Sequence, residues 1–249
     1  MFSRLREREP RSKKVNDVAR SQVESIQFYN QFQELGFTAG MTLKGDWESE
    51  DDVYKYIKEE IVPPNMRMVI PKQVHGPDLL VLDLDEIPGY SEVDGTITKR
   101  NDLCLTVTAA DCIPLLIVDT KSGLYGAIHV GWRSYIAGIL DNLFQTLVKF
   151  NVDINDTRIL IGPSIGPCCF EVGGEVAALF DEDIVSNRDN HLFVNLNKAV
   201  RNKFVSLGVT NTYISGLFEC TSCFADRYYS YRRDQESPIQ QVSFIFKSA

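Results

Sequence analysis

The sequence predicts one mixed α/β (α+β) domain, and three observations carry that expectation. Short β-rich runs are interspersed with segments whose apolar residues recur at helical spacing. No repeat, low-complexity stretch or linker divides the chain. The 249 residues can bury a substantial core, and their 44% hydrophobic and 24% charged content is that of an ordinary soluble globular protein.

Residues 1–22 are polar, without a clear period, and are expected to form a loose lead-in, leaving 23–249 as the domain. Residues 25–35 mix aromatic and polar positions, as a short helix or strand would. Residues 46–60 are acidic with Val53, Tyr54, Ile57 and Ile61 at helical spacing, and Pro63-Pro64 stops that helix. Strands follow at 66–69 and 79–84. The centre is denser, with β-rich runs at 103–108, 114–118 and 125–130. Residues 136–150 place apolar side chains at 136, 139, 140, 143, 144 and 147, one face of a helix. A strand at 158–161, helices at 171–180 and 195–207, and strands at 213–215 and 242–246 complete the expected order.

Charge and composition narrow the function. A net charge of −8 argues against a nucleic-acid partner, since phosphate binding rests on clustered Lys and Arg. No segment approaches the roughly 20 apolar residues that span a bilayer. The first eight residues carry basic side chains with no apolar stretch behind them, unlike a secretory signal. A cytoplasmic protein with neither nucleic-acid nor membrane partner is expected, and nothing marks an oligomeric interface. The six cysteines fit free thiols or metal ligands better than a disulfide framework. Cys168-Cys169 and the Cys220-x-x-Cys223 pair are expected as buried or half-buried thiols.

Histidine is the scarcest side chain here bar the two tryptophans, and two of the three sit in segments suited to chemistry. His75 lies in Lys72-Gln73-Val74-His75-Gly76, and His129 in His129-Val130-Gly131-Trp132-Arg133. Between them, Ala109-Ala110-Asp111-Cys112-Ile113-Pro114 breaks an apolar run with an acid and a thiol. Two imidazoles and a thiolate can hold zinc with a fourth position left for water, which then ionises near neutral pH. Copper accepts the same donors, but a multi-copper cluster needs more imidazoles than three. The same residues also suit a cysteine nucleophile, Cys112, with His129 as base and Asp111 as orienter. Spacing alone leaves these readings open, alongside a buried thiol with two hydrogen-bonded histidines.

Two arginine-bearing segments add anion-binding capacity. Arg133 precedes a helix expected to begin near Ser134, where unpaired N–H groups and a guanidinium point the same way. In Arg227-Tyr228-Tyr229-Ser230-Tyr231-Arg232-Arg233-Asp234, interleaved rings and cations suit stacking on a planar base and contact with phosphate. The plainer alternatives are a surface ion pair and a strand edge or helix with solvated charges.

Taken in order, these motifs resemble one family. They are Lys72-Gln73-Val74-His75-Gly76, Asp94-Gly95, Thr108-Ala109-Ala110-Asp111-Cys112-Ile113-Pro114, His129-Val130-Gly131-Trp132-Arg133, Ile161-Gly162-Pro163-Ser164-Ile165-Gly166-Pro167-Cys168-Cys169-Phe170-Glu171-Val172 and Tyr228-Tyr229-Ser230-Tyr231-Arg232-Arg233-Asp234. Together they look like the laccase-domain proteins, once called multi-copper polyphenol oxidoreductases. That family is described as purine nucleoside phosphorylases with adenosine deaminase activity, and some members as peptidoglycan editing factors. The resemblance spans about residues 66 to 234 and implies layered mixed sheets flanked by helices. It implies Zn2+ on His75, Cys112 and His129, and nucleoside and phosphate as small-molecule partners. Adenosine, inosine, guanosine and methylthioadenosine are the implied substrates. Asp111, Cys112 and Arg133 become the catalytic candidates, and Tyr231, Arg232 and Arg233 the substrate-binding ones.

Both ends depart from the family pattern. Gly36-Phe37-Thr38-Ala39-Gly40-Met41 lacks the usual Arg, and Glu236-Ser237-Pro238-Ile239-Gln240 replaces the usual Thr-Gly-Arg. A missing cation on each flank bears on substrate binding more than on the metal ligands. The alternatives are therefore a peptidoglycan-precursor editing hydrolase using Cys112 or the zinc site, and a nucleoside-binding protein without turnover.

Overall fold

Two mixed β-sheets stacked face to face form the centre of the fold in a computed structural model, which describes residues 25–83, 91–235 and 239–248. The expected lead-in at 1–22 lies outside these residues. The chain opens with β1 (Ile26–Phe28), the one-turn α1 (Asn30–Gln33) and β2 (Phe37–Thr42). Next come α2 (Glu50–Tyr56), β3 (Arg67–Val69), β4 (Leu79–Val81), β5 (Gly95–Thr98), β6 (Leu103–Ala109), β7 (Ile113–Asp119) and β8 (Tyr125–Val130). The second half holds α3 (Trp132–Ile136), α4 (Ile139–Lys149), β9 (Thr157–Ile161), β10 (Glu171–Val172), α5 (Gly174–Ala177), β11 (Val185–Arg188) and β12 (His191–Val194). It closes with α6 (Leu196–Ser206), β13 (Ile214–Gly216), α7 (Tyr231–Asp234) and β14 (Gln241–Lys247).

The first sheet has the order β1-β2-β14-β6-β3 and the second β13-β9-β7-β8-β5-β4. Each is antiparallel in the middle with parallel pairing at an edge, β3 on β6 in the first, β4 on β5 and β13 on β9 in the second. Alternation along the strands builds three apolar layers. Leu116 and Val118 of β7 and Tyr125 and Ala127 of β8 face Leu105, Val107 and Ile245 of the other sheet. Leu115 and Ile117 point the opposite way, onto Leu143 and Leu147 of α4 and Val200 and Phe204 of α6. On the far face of the first sheet, Phe244 and Phe246 pack with Val53 and Ile57. The result is an open four-layer stack of helix, sheet, sheet and helices, so the expected layered mixed sheets flanked by helices are present.

Local expectations differ from the structure in instructive places. The helix expected over 136–150 is α4 and begins only at Ile139, because Gly138 takes φ +95° and separates it from α3; Ile136 ends α3 and is left exposed rather than on the buried face. Residues 171–180 are not one helix: β10 and the single turn α5 replace it, interrupted by the helix-breaking pair Gly173-Gly174. Residues 25–35 divide into β1 and α1. The acidic helix is α2, capped by the Ser49 hydroxyl accepting from Asp52 N–H, and it widens into a π turn over Ile57–Ile61 before the prolines. No helix among the described residues is long and apolar enough to cross a membrane.

Candidate metal centre

The β7–β8 hairpin register sets the site. Pro114 lies opposite His129 and Ile113 opposite Val130, so Cys112 at the foot of β7 meets the turn that leaves β8 at Gly131. The loop after β3 brings His75 to the same end. Gln73 anchors that loop to β6 by donating to the Thr108 carbonyl (2.8 Å) and accepting from Thr108 N–H (2.7 Å). His75 itself takes φ +58°, a left-handed conformation uncommon for a side chain of its size. Ligand atoms of His75, Cys112 and His129 all lie within 4.8 Å of one another, and the two imidazole rings meet edge-on.

Asp94, fully buried, organises this convergence. Its carboxylate accepts from Val74 N–H (3.1 Å), His75 N–H (2.9 Å) and Gly76 N–H (2.7 Å). It also accepts from His129 Nδ1 at 2.7 Å, which assigns the proton to Nδ1 and leaves Nε2 for a metal. Burial opposes ionisation of Asp94, but the hydrogen bonds from His129, Gly76 and Val74 outweigh it and hold the carboxyl below its ordinary value. Burial likewise raises the Cys112 thiol, yet the charge on His129 and hydrogen bonds from both imidazoles bring it down to about 6. His129 responds in kind: desolvation lowers it, while Cys112 and Asp94 together raise it to about 9. Without metal, both shifts favour a thiolate beside an imidazolium near neutral pH. With metal the same atoms form a two-nitrogen, one-sulfur donor set of the kind that suits zinc.

These residues open into a cleft of about 650 Å³, a size suited to small molecules. Its walls include Trp132, Arg133, Ile165, Phe170, Leu196, Tyr231, Arg232 and Gln240. Asp111 is on the floor at φ +90°, and its carboxylate accepts from the hydroxyls of Thr221 (2.6 Å) and Ser230 (3.0 Å) and from Arg232 N–H (2.7 Å). Arg133 is exposed in the first turn of α3, not ahead of it as expected, and its guanidinium stacks on Trp132 at 4.3 Å. Arg232 spends its guanidinium on the carbonyls of Cys169 (2.9 Å) and Glu171 (2.8 Å). Arg233 lies off the cleft wall, with Nε, Nη1 and Nη2 all donating to Asp234 and to the carbonyls of Thr221, Ser222 and Tyr228. The third histidine, His191, pairs with Glu171 at an exposed edge.

A family model described as "Multi-copper polyphenol oxidoreductase laccase" matches residues 38–247, a span that contains the whole centre. The chain belongs to this laccase family. It is 30% identical over 211 residues to "Purine nucleoside phosphorylase YlmD" of Geobacillus stearothermophilus, covering 76% of this chain and 75% of that protein. It is 29% identical over 182 residues to "Adenosine deaminase RL5" from an unknown prokaryotic organism, covering 67% and 70%. The crystal structure of YlmD superposes with a TM-score of 0.77 at 26% identity over 86% of this chain and 93% of that one. A Bacillus licheniformis hypothetical protein YfiH shares the fold, with a TM-score of 0.80 at 23% identity over 89% and 96%.

In this laccase-family centre, three functional positions carried no role in the sequence reading. Asp94 was visible as an Asp-Gly motif, and Gln73 and Gly131 stood inside longer ones. Gly131 leaves room for the centre: a Cβ there would crowd Cys112 Sγ at 3.0 Å and His75 Cδ2 at 3.2 Å. The expectation that the paired cysteines are buried or half-buried holds for Cys220 and Cys169 but not for Cys168 and Cys223, which are exposed.

Proposed function

We propose that this chain is a zinc-dependent purine nucleoside phosphorylase with adenosine deaminase activity, acting on adenosine and also on inosine, guanosine and methylthioadenosine. The observation that carries the reading is the convergence of His75, Cys112 and His129 on the cleft, oriented by Asp94, in a chain related to proteins named for those two activities. A zinc ion on these three residues would supply Lewis acidity and lower the pKa of water for hydrolytic deamination. Trp132, Phe170 and Tyr231 give the cleft apolar surface against which a purine can pack. Arg133 is the group we assign to phosphate beneath C1′, because among the described residues no protein acceptor takes its N–H donors. Arg232 and Arg233 brace the wall through backbone carbonyls, and Tyr231, 72% exposed, is left to close over the base. Asp111, with both oxygens accepting from Thr221, Ser230 and Arg232, positions that wall.

The test is the product profile from adenosine with and without phosphate. Adenine and ribose 1-phosphate formed only with phosphate would establish phosphorolysis, and inosine in both would establish deamination. Neither product, with nucleoside binding seen by calorimetry, would leave a binding protein. A second reading is favoured by the lowered Cys112 thiol, which suits a nucleophile with His129 as base in a peptidoglycan-precursor hydrolase. Muropeptide turnover by chelator-treated protein, abolished in Cys112→Ser, would support it over the zinc enzyme.

A further inference from the structure

Four cysteines that the proposed activity does not use meet on the outer side of the cleft wall. Cys168 and Cys169 end the loop after β9, and Cys220 and Cys223 lie on the turn after β13. The Sγ atoms of all four fall within 4.8 Å of one another, with Cys168 to Cys223 at 3.5 Å and Cys169 to Cys223 at 3.4 Å. Zn–S bonds of about 2.3 Å in a tetrahedron set sulfurs about 3.8 Å apart, inside that range. We infer that Cys168, Cys169, Cys220 and Cys223 form a second, structural zinc site, distinct from the His75–Cys112–His129 centre.

Three features of the surroundings fit an ion with four thiolates. Gly166 N–H donates to Cys220 Sγ at 3.2 Å, a bond that stabilises thiolate sulfur. The same glycine leaves room for the cluster, since a Cβ there would lie 3.1 Å from Cys168 Sγ and 3.1 Å from Cys220 Cβ. A zinc ion with four thiolates carries a net negative charge, and three guanidiniums bond to backbone carbonyls of the two loops that would hold it. Arg188 donates to the Pro167 carbonyl (2.6 Å), Arg232 to that of Cys169 (2.9 Å), and Arg233 to those of Thr221 (2.9 Å) and Ser222 (3.0 Å). Cys168-Cys169 and Cys220-x-x-Cys223 lie some fifty residues apart in sequence, so the ion cross-links two loops that are also joined by the Ser164–Cys220 β-bridge and the Gly166–Cys220 hydrogen bond. Those loops carry Ile165 and Phe170 of the cleft wall and the Thr221 hydroxyl that holds Asp111.

Metal analysis of the full chain, purified without added metal or chelator, tests this. The expected result is two zinc ions per chain in the wild type and one in each of His129→Ala and Cys223→Ser. Cobalt loading separates the sites: the strong thiolate charge-transfer absorption of a four-sulfur site should survive in His129→Ala and vanish in Cys223→Ser. Should Cys223→Ser fail to fold, iodoacetamide mapping of the wild type decides. The four cysteines should resist alkylation together and become reactive once chelator is added. Immediate alkylation of these thiols in zinc-replete protein, a disulfide among them, or iron with visible absorption in place of zinc would each overturn the inference. The outcome at His75, Cys112 and His129 is read separately from the His129→Ala protein.

Discussion

Asp94 touches no cleft surface, yet three backbone N–H groups of the His75 loop and the Nδ1 proton of His129 depend on its carboxylate. Asp94→Asn replaces one acceptor oxygen with a donor and loosens both ligands. It is expected to weaken zinc binding by about 10–100-fold, measured by competition with a chromophoric chelator. Protons would compete with zinc at the same residues. Between pH about 6 and about 9 Cys112 is already a thiolate, while His129 still holds a proton that metal must displace. Apparent zinc affinity should therefore rise by about tenfold per pH unit across that window and flatten above it, with one proton released per ion bound in calorimetry across buffers. A pH-independent affinity between those limits would contradict the assigned thiolate–imidazolium pair. His75, Cys112 and His129 were legible in the sequence because their side chains are rare and chemically distinctive. Asp94 was not legible in its role, because its partners lie 18 to 35 residues away and only the fold brings them to it.

At the scale of elements, the cleft wall hangs on a few side-chain bonds rather than on long helices. Asp111 joins the β6–β7 turn to the 220s turn and to α7 through Thr221, Ser230 and Arg232. Asp111→Asn keeps the size and tolerates the same backbone but sets an amide N–H against these donors. A loss of about 1–3 kcal/mol in chemical denaturation is expected, since buried donors are left without acceptors. The helix that was to carry an anion site at Arg133 is only five residues long, so phosphate support is assigned to its guanidinium and not to the helix end. β7 and β8 were legible because burial on both faces makes them continuous apolar runs. β5 was missed because Ile97 is its one apolar side chain, and a Cβ on Gly95 would meet Leu79 at 2.5 Å, so close packing keeps that position bare. β2 does alternate Phe37, Ala39 and Met41 with Thr38, Gly40 and Thr42, but over only six residues. β10, β11 and β12 form an outlying small sheet in which β11 is mostly exposed and β12 fully buries only Val194, which leaves little pattern to read.

Across the whole molecule, the two stacked sheets act as the platform that holds strand ends, and hence ligands, at one edge. Leu116 sits fully buried between them. Leu116→Ala is expected to cost about 2–5 kcal/mol of unfolding free energy, because the surrounding strands cannot collapse into the cavity. The layered arrangement itself came from the family resemblance, since periodicity along one chain does not reveal which sheet a strand joins.

In the proposed function, metal on His75, Cys112 and His129 drives purine nucleoside turnover. The most direct measurement is adenine release from adenosine and phosphate by chelator-stripped protein as zinc is added back, with His129→Ala followed in parallel. Turnover should be absent without zinc, rise in step with occupancy of the His75–Cys112–His129 centre, and stay absent in His129→Ala at every zinc concentration. Full turnover by stripped protein, or by His129→Ala, would contradict it.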